Sequence, residues 1–295
     1  MDSRPHIFRR LPLRLAQLLS LGVLAIAVSA PPASAAASSG LQITPLRESP
    51  SIKDVVEDLD LTKRLGGTFA RIEVRWDLLE PARGTIDRAY LARLEGVVEA
   101  ARSRDLKLAV TFMGTPCWSS TAPATLTRGC GATAADTVDS YPPSDPQDYA
   151  RAAAFVARTF SPTVAWLEVW NEPDHRNQLY WAGENKAKTY ADLLKAAYPT
   201  IKAQAPSVKV LGGAIVGGNG AFLKAMYDNG AKGQYDALSV HYYDLVLLSI
   251  RQIRDVMRAA GDRKPLWLGE FGWTSCASKF RRQGGHVCVN SGQQA

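Results

Sequence analysis

From Leu41 onward the chain alternates short apolar runs with segments of helical spacing, and this alternation limits the folds open to it. The runs Leu41–Thr44, Phe69–Trp76, Leu106–Phe112, Val164–Trp170, Val208–Ile215, Ala237–Tyr242 and Pro265–Leu268 read as seven strands. Between them, Ile52–Leu65 carries Ile52, Val55, Val56 and Leu59 at a helical period. Leu91, Leu94, Val97, Val98 and Ala101 line one face of a second helix. Tyr149, Ala153, Val156 and Phe160 line a third, Tyr190, Leu193, Leu194, Ala197 and Ile201 a fourth, and Ile250–Ala260 forms another. Strands joined through helices run parallel. Seven of them, with long loops after several, favour an α/β fold of the TIM (β/α)8 type. A doubly wound sheet is the competing topology, and it lacks a Gly-rich phosphate loop after the first strand. Only 22 residues follow Trp273, polar and Gly-rich, with no apolar run long enough for a strand. The expectation is therefore a barrel lacking its C-terminal eighth strand and helix, with strands one and seven left as edges.

Two of the runs end in a carboxylate. Val164 to Trp170 leads into Asn171-Glu172-Pro173, and Pro265 to Leu268 leads into Gly269-Glu270-Phe271-Gly272-Trp273. Two carboxylates at the C-terminal ends of two parallel strands are the layout of an acid and a nucleophile acting on a glycosidic bond.

The first 35 residues have the build of an export signal: a basic start (Arg9, Arg10, Arg14), an apolar stretch from Gln17 to Ser29, and the small-residue site Ala33-Ser34-Ala35. That stretch falls short of the ~20 residues a membrane span needs. Arg9-Arg10 also fits a twin-arginine route, although Pro12 weakens the match. The expected organisation is a signal over 1–35 with cleavage near Ala35, a short linker over 36–40, a barrel domain over 41–295, and secretion. Removing four arginines and one aspartate from 35 basic and 28 acidic side chains leaves 31 and 27, a net charge of +4. That mild excess, with no dense basic run, does not indicate nucleic-acid binding. No later segment is apolar enough to span a membrane.

Export permits disulfides between the four cysteines, Cys117, Cys130, Cys276 and Cys288. Of three possible pairings, Cys117–Cys130 and Cys276–Cys288 each join residues of one loop, and each closure could contribute about 3 kcal/mol. Without a Cys-x-x-Cys or Cys/His cluster, no metal site is expected.

Several ordered stretches resemble one family. They are Gly66 to Trp76, Glu80-Pro81 with Gly84, Gly114-Thr115-Pro116-Cys117-Trp118, Trp170 to Pro173, His241-Tyr242-Tyr243 and Gly269 to Trp273. Together they resemble the retaining glycoside hydrolases of the clan with catalytic glutamates on strands four and seven, of the family 39 and family 5 type. The resemblance implies Glu172 as acid/base with a raised pKa, Glu270 as nucleophile, and no cofactor. It also implies that Asn171 binds a sugar 2-hydroxyl, that Arg71 orients and ionises Glu270, that Tyr243 hydrogen-bonds the nucleophile, and that His241 lines the sugar subsite. Trp118 and Trp273 suit stacking on sugar faces, Trp181 and Tyr180 a more distant subsite, and His175 and His286 read as loop residues. The expected substrate is a β-linked poly- or oligosaccharide. The family's strand eight supplies an aromatic platform that nothing here matches, so a truncated, non-catalytic carbohydrate binder is the competing expectation.

Overall fold

The computed structural model describes residues 38–46, 51–128, 130, 138–243, 248–275, 282–283 and 286–289. The expected signal over 1–35 and its cleavage site lie outside the described residues.

The elements follow the predicted alternation. Strands β1 (Gly40–Ile43), β2 (Phe69–Arg75), β3 (Lys107–Met113), β4 (Val164–Val169), β5 (Lys209–Ile215), β6 (Ala237–Tyr242) and β7 (Leu266–Phe271) form one parallel sheet in sequence order. The helices are α1 (Ile52–Arg64), α2 (Trp76–Leu79), α3 (Arg88–Arg102), α4 (Ala124–Thr127), α5 (Pro146–Phe160), α6 (Lys186–Gln204), α7 (Ala221–Asp228) and α8 (Leu248–Ala259). Asp87 and Asp145 cap α3 and α5 by accepting from Tyr90 N and Gln147 N, and Ser51 with Asp54 forms a capping box on α1. Helix α7 has no counterpart in the sequence reading, because its eight residues are too few for a clear period.

The sheet curls into a barrel that is not closed by strand pairing among the described residues. Phe69 of β2, Trp166 of β4 and Trp267 of β7 meet inside it, with ring centroids 5.1–5.5 Å apart. Because side chains alternate along a strand, the same inward rows carry Arg71, Glu168 and Gly269 one layer higher. The outward rows, such as Ile72, Val110, Leu167 and Val240, are fully buried beneath the helices. β1 and β7 each pair with a single neighbour among the described residues, as a barrel lacking its eighth strand requires. Leu268 and Phe271 of β7 are 43% and 62% exposed.

The expectation of no strand beyond Trp273 needs correction. Short strands β8 (Thr274–Ser275), β9 (Arg282–Gln283) and β10 (His286–Val289) form a second sheet, with β10 parallel to β8 and antiparallel to β9. Two- and four-residue strands leave almost no apolar signature, since pairing defines them. They do not join the barrel sheet.

Cys117 and Cys130 form the expected disulfide. Cys276 lies outside the described residues, and with it the expected Cys276–Cys288 pair. Among the described residues no helix is long and apolar enough to cross a membrane.

Candidate active site

The strand ends at the top of the barrel are held by buried hydroxyls. Tyr149 of α5 donates to the Phe112 carbonyl at 2.8 Å. Tyr190 of α6 donates to the Val169 carbonyl at 2.6 Å and accepts from Gly213 N at 2.8 Å. Beyond β4 the backbone turns sharply. Trp170 and Glu172 have φ of +69° and +43°, and Ala214 beyond Gly213 has +46°. Side chains at positive φ cost about 1–3 kcal/mol each and concentrate at functional sites. The surrounding contacts hold this turn in place. Trp170 is fully buried against Trp181, and its Nε1 donates to the Tyr180 carbonyl at 2.6 Å. Glu172 N donates to the Ala214 carbonyl at 3.2 Å.

Arg71 lies at the centre of the site. It is 2% exposed, and every nitrogen of its guanidinium is engaged. Nε and Nη2 donate to Glu168 Oε2 at 3.0 and 2.6 Å, Nη1 to Glu270 Oε1 at 2.6 Å and to Gln42 Oε1, and Nη2 to Asn171 Oδ1 at 3.0 Å. Burial opposes its charge, but Glu168 and Glu270 outweigh that and hold it protonated. Glu168, 1% exposed, also accepts from Thr111 Oγ1 at 2.7 Å and from Ser239 Oγ. Burial would raise its carboxyl, yet Arg71 first, then His241 and the two hydroxyls, keep it below the usual carboxylate range.

The two predicted glutamates face each other above this layer. Glu270 Oε2 accepts from the Tyr243 hydroxyl, which burial, reinforced by Glu270, pushes well above the ordinary phenol range and so keeps as a donor. Glu172 Oε1 lies 2.8 Å from His241 Nδ1, while His241 Nε2 lies 3.7 Å from Glu270 Oε1. Ligand atoms of Glu172, His241 and Glu270 all fall within 4.8 Å of one another. That trio has the composition of a metal site, but the Arg71 guanidinium 2.6 Å from Glu270 repels a cation there.

A cavity of about 490 Å³ opens over the pair, lined by Glu172, His175, Tyr180, Val216, Tyr243, Glu270, Gly272 and Trp273. Arg71, Asn171 and His241 form its buried support. Trp118 is placed elsewhere. It packs edge-on against Trp76, lies under Arg83, and donates from Nε1 to the Glu80 carbonyl at 2.9 Å. Trp181 is buried behind Trp170 rather than presented to a ligand, and His175, read as a plain loop residue, lines the cavity. Sequence reasoning passed over Glu168, Thr111, Ser239 and Gln42. A charged residue between Trp166 and Trp170, on the inward row of a buried strand, was the available signal for Glu168.

Gly269 leaves the space these groups occupy. A Cβ there would sit 2.6 Å from Ser239 Oγ, 3.1 Å from Glu168 Oε1 and 3.2 Å from the His241 ring. Gly269→Ala is expected to destabilise the fold by about 1–3 kcal/mol through overpacking. A melt that matches wild type would show that the carboxylate layer yields without cost.

A family described as a glycosyl hydrolase catalytic core matches residues 144–288. Endoglycoceramidase I of Rhodococcus hoagii is 44% identical over 50 residues, 17% of this chain and 10% of that protein. Among solved structures, a family 39 glycoside hydrolase from Bacteroides cellulosilyticus is 20% identical with a TM-score of 0.56, covering 81% of this chain and 50% of that one. A family 39 β-xylosidase from Caulobacter crescentus is 21% identical with a TM-score of 0.56, covering 84% and 57%. In fold the chain is similar to these family 39 glycoside hydrolases, and over residues 144–288 it is similar to the glycosyl hydrolase catalytic core. It spans about half the length of these structural relatives.

Proposed function

We propose that this chain is the catalytic part of an exported retaining O-glycosyl hydrolase acting on a β-linked poly- or oligosaccharide, with Glu172 as acid/base and Glu270 as nucleophile. The observation that carries the assignment is the unequal setting of two closely spaced carboxylates. Glu270 is bonded by Arg71 and Tyr243, two donors that favour an ionised carboxylate. Glu172 lies instead 2.8 Å from the His241 ring nitrogen Nδ1, with no guanidinium bonded to it among the described residues.

In this reading Glu172 gives its proton to the glycosidic oxygen while a Glu270 oxygen forms a bond to the anomeric carbon and the C–O bond to the leaving group breaks. A water then attacks the glycosyl-enzyme, giving its proton to Glu172 and releasing Glu270. Asn171, its oxygen held by Arg71, presents its amide nitrogen to a sugar hydroxyl. Trp273 and Tyr180 offer aromatic faces along the cavity.

Incubation with a panel of aryl β-glycosides, followed by NMR of the first-formed sugar, tests this assignment. A β-anomeric product, lost in Glu270→Gln, is the expected result. An α-anomeric first product would exclude double displacement. No hydrolysis across the panel by a cooperatively melting chain would favour the binding-only alternative.

A further inference from the structure

The loop after β4 turns back on itself just beyond Glu172. His175 N donates to the Glu172 carbonyl at 3.0 Å, so the His175 side chain stands one tight turn from the proposed acid/base. Both residues line the same cavity, and Tyr180 joins them there. The Tyr180 ring meets the imidazole edge-on, with centroids 5.7 Å apart and planes at 82°.

This wall is anchored to the elements around it. Asp174 Oδ1 accepts from Val216 N at 2.9 Å, which ties the loop to the segment just beyond β5. Lys186 Nζ of α6 donates to the His175 carbonyl at 2.7 Å. Ser140 Oγ donates to the Leu179 carbonyl at 2.7 Å, and Ala182 N to the Ser140 carbonyl at 2.8 Å. A loop fixed in this way presents its side chains already ordered, which lowers the entropic cost of binding.

The same contacts place the proton on the ring. His175 Nδ1 is hydrogen-bonded to Asn177 Oδ1. That Asn177 atom also accepts from Leu179 N at 3.3 Å. A backbone N–H can only donate, so the Asn177 atom is the carbonyl oxygen, and the imidazole must donate to it. In the neutral ring Nδ1 therefore carries the proton and Nε2 is an acceptor. Among the described residues Nε2 has no hydrogen-bond partner, while the ring lines the cavity.

We infer that His175 and Tyr180 form a leaving-group subsite that takes a second sugar, with His175 Nε2 accepting from one of its hydroxyls, an assignment that rests on the glycosidase reading above. The leaving oxygen has to come within hydrogen-bond reach of Glu172, so the leaving group lies against the wall beside that residue. An acceptor nitrogen there calls for a hydroxyl, and an adjoining aromatic ring suits the C–H face of a sugar. A lipid or plain aryl leaving group would bury Nε2 without a donor. The substrate is then a glycan that continues beyond the cleaved bond.

Capture of the glycosyl-enzyme by added alcohols tests this subsite, because capture runs the leaving step backwards. The acceptor hydroxyl attacks the anomeric carbon, its proton passes to Glu172, and the bond to Glu270 breaks. The full chain is given the aryl β-glycoside it turns over best, with glucose, xylose, mannose or 1-hexanol as acceptor. The ratio of transfer product to free sugar is read within one reaction, so the first step cancels. Transfer to at least one of the sugars should exceed transfer to hexanol. Two variants separate a subsite from a loop anchor. His175→Asn keeps a donor for Asn177 but is too short to reach the ligand. His175→Gln extends an acceptor oxygen about as far as Nε2 but gives up the Asn177 contact. The sugar-transfer ratio should fall about three- to tenfold in His175→Asn, the loss of one hydrogen bond, and stay within about twofold of wild type in His175→Gln. A fall in His175→Gln as large as in His175→Asn, or in neither, would make His175 a loop anchor and overturn the inference. So would a preference for hexanol over every sugar. A wild-type chain that melts cooperatively yet turns over no aryl glycoside fails earlier, and removes the glycosidase reading together with this subsite.

Discussion

Replacing Arg71 with methionine is expected to cost about 3–5 kcal/mol and to remove activity. The size follows from what is left behind. Glu168 is 1% exposed and loses the guanidinium bonded to it, and stripping one partner from a buried ion pair typically costs that much. For a domain of this size the loss corresponds to a fall in Tm of roughly 10 °C. A second variant separates charge from packing. Arg71→Met combined with Glu168→Leu removes both charges, and replacing a buried pair by apolar groups is often close to neutral. The double variant should therefore recover most of the stability but none of the activity, since Glu270 and Asn171 still lack their common donor.

The pH dependence of the single variant should reverse. In the wild type the Glu168 carboxyl sits below its ordinary range, because Arg71 and its other partners outweigh burial. Its contribution is therefore fully present above the unfolded pKa, near about 4.3, and is lost as pH falls through the lower folded value. Without Arg71, burial raises that carboxyl, and the folded state then takes up protons that the unfolded chain has released. Stability in Arg71→Met should fall as pH rises above about 4, where that of the wild type does not. Melts from about pH 4 to about pH 7 decide this. Parallel curves for the two proteins would mean that Thr111, Ser239 and His241 alone keep Glu168 ionised.

Much of this site could be read from local sequence because a buried parallel strand is a short apolar run and its C-terminal end is where side chains converge. Glu172 and Glu270 stand immediately after such runs, and Arg71 and His241 lie within them at inward positions. Glu168 was missed for a related reason. Within an apolar run a single acid reads as a surface interruption, and only the curl of the sheet brings β2, β3 and β6 around it. Trp118 and Trp181 are placed away from the cavity lining. An aromatic in a loop looks available, yet Trp181 is buried against Trp170 at 4.7 Å, and Trp118 is taken up by Trp76 and Arg83. The short strands after Trp273 could not be foreseen, since pairing rather than patterning creates them.

The two glutamates should fail differently when each is made neutral. On the proposed roles, Glu270→Gln removes the nucleophile, so every substrate should lose turnover by about 10⁴-fold or more, whatever its leaving group. Glu172→Gln removes only proton transfer, worth about 10²–10⁴ where the leaving oxygen needs it. A sugar alcohol is a poor leaving group and should show the full loss. An acidic nitrophenol departs without a proton, so its first step should survive, and the glycosyl-enzyme should accumulate because no base activates the incoming water. The expected record for Glu172→Gln is a burst of nitrophenolate followed by a slow steady state, together with loss of the acid-base limb of the pH profile. Glu270→Gln should show no burst. The direction follows from the surroundings, because Arg71 and Tyr243 attend Glu270 while His241 attends Glu172. A burst in Glu270→Gln and none in Glu172→Gln would exchange the two roles.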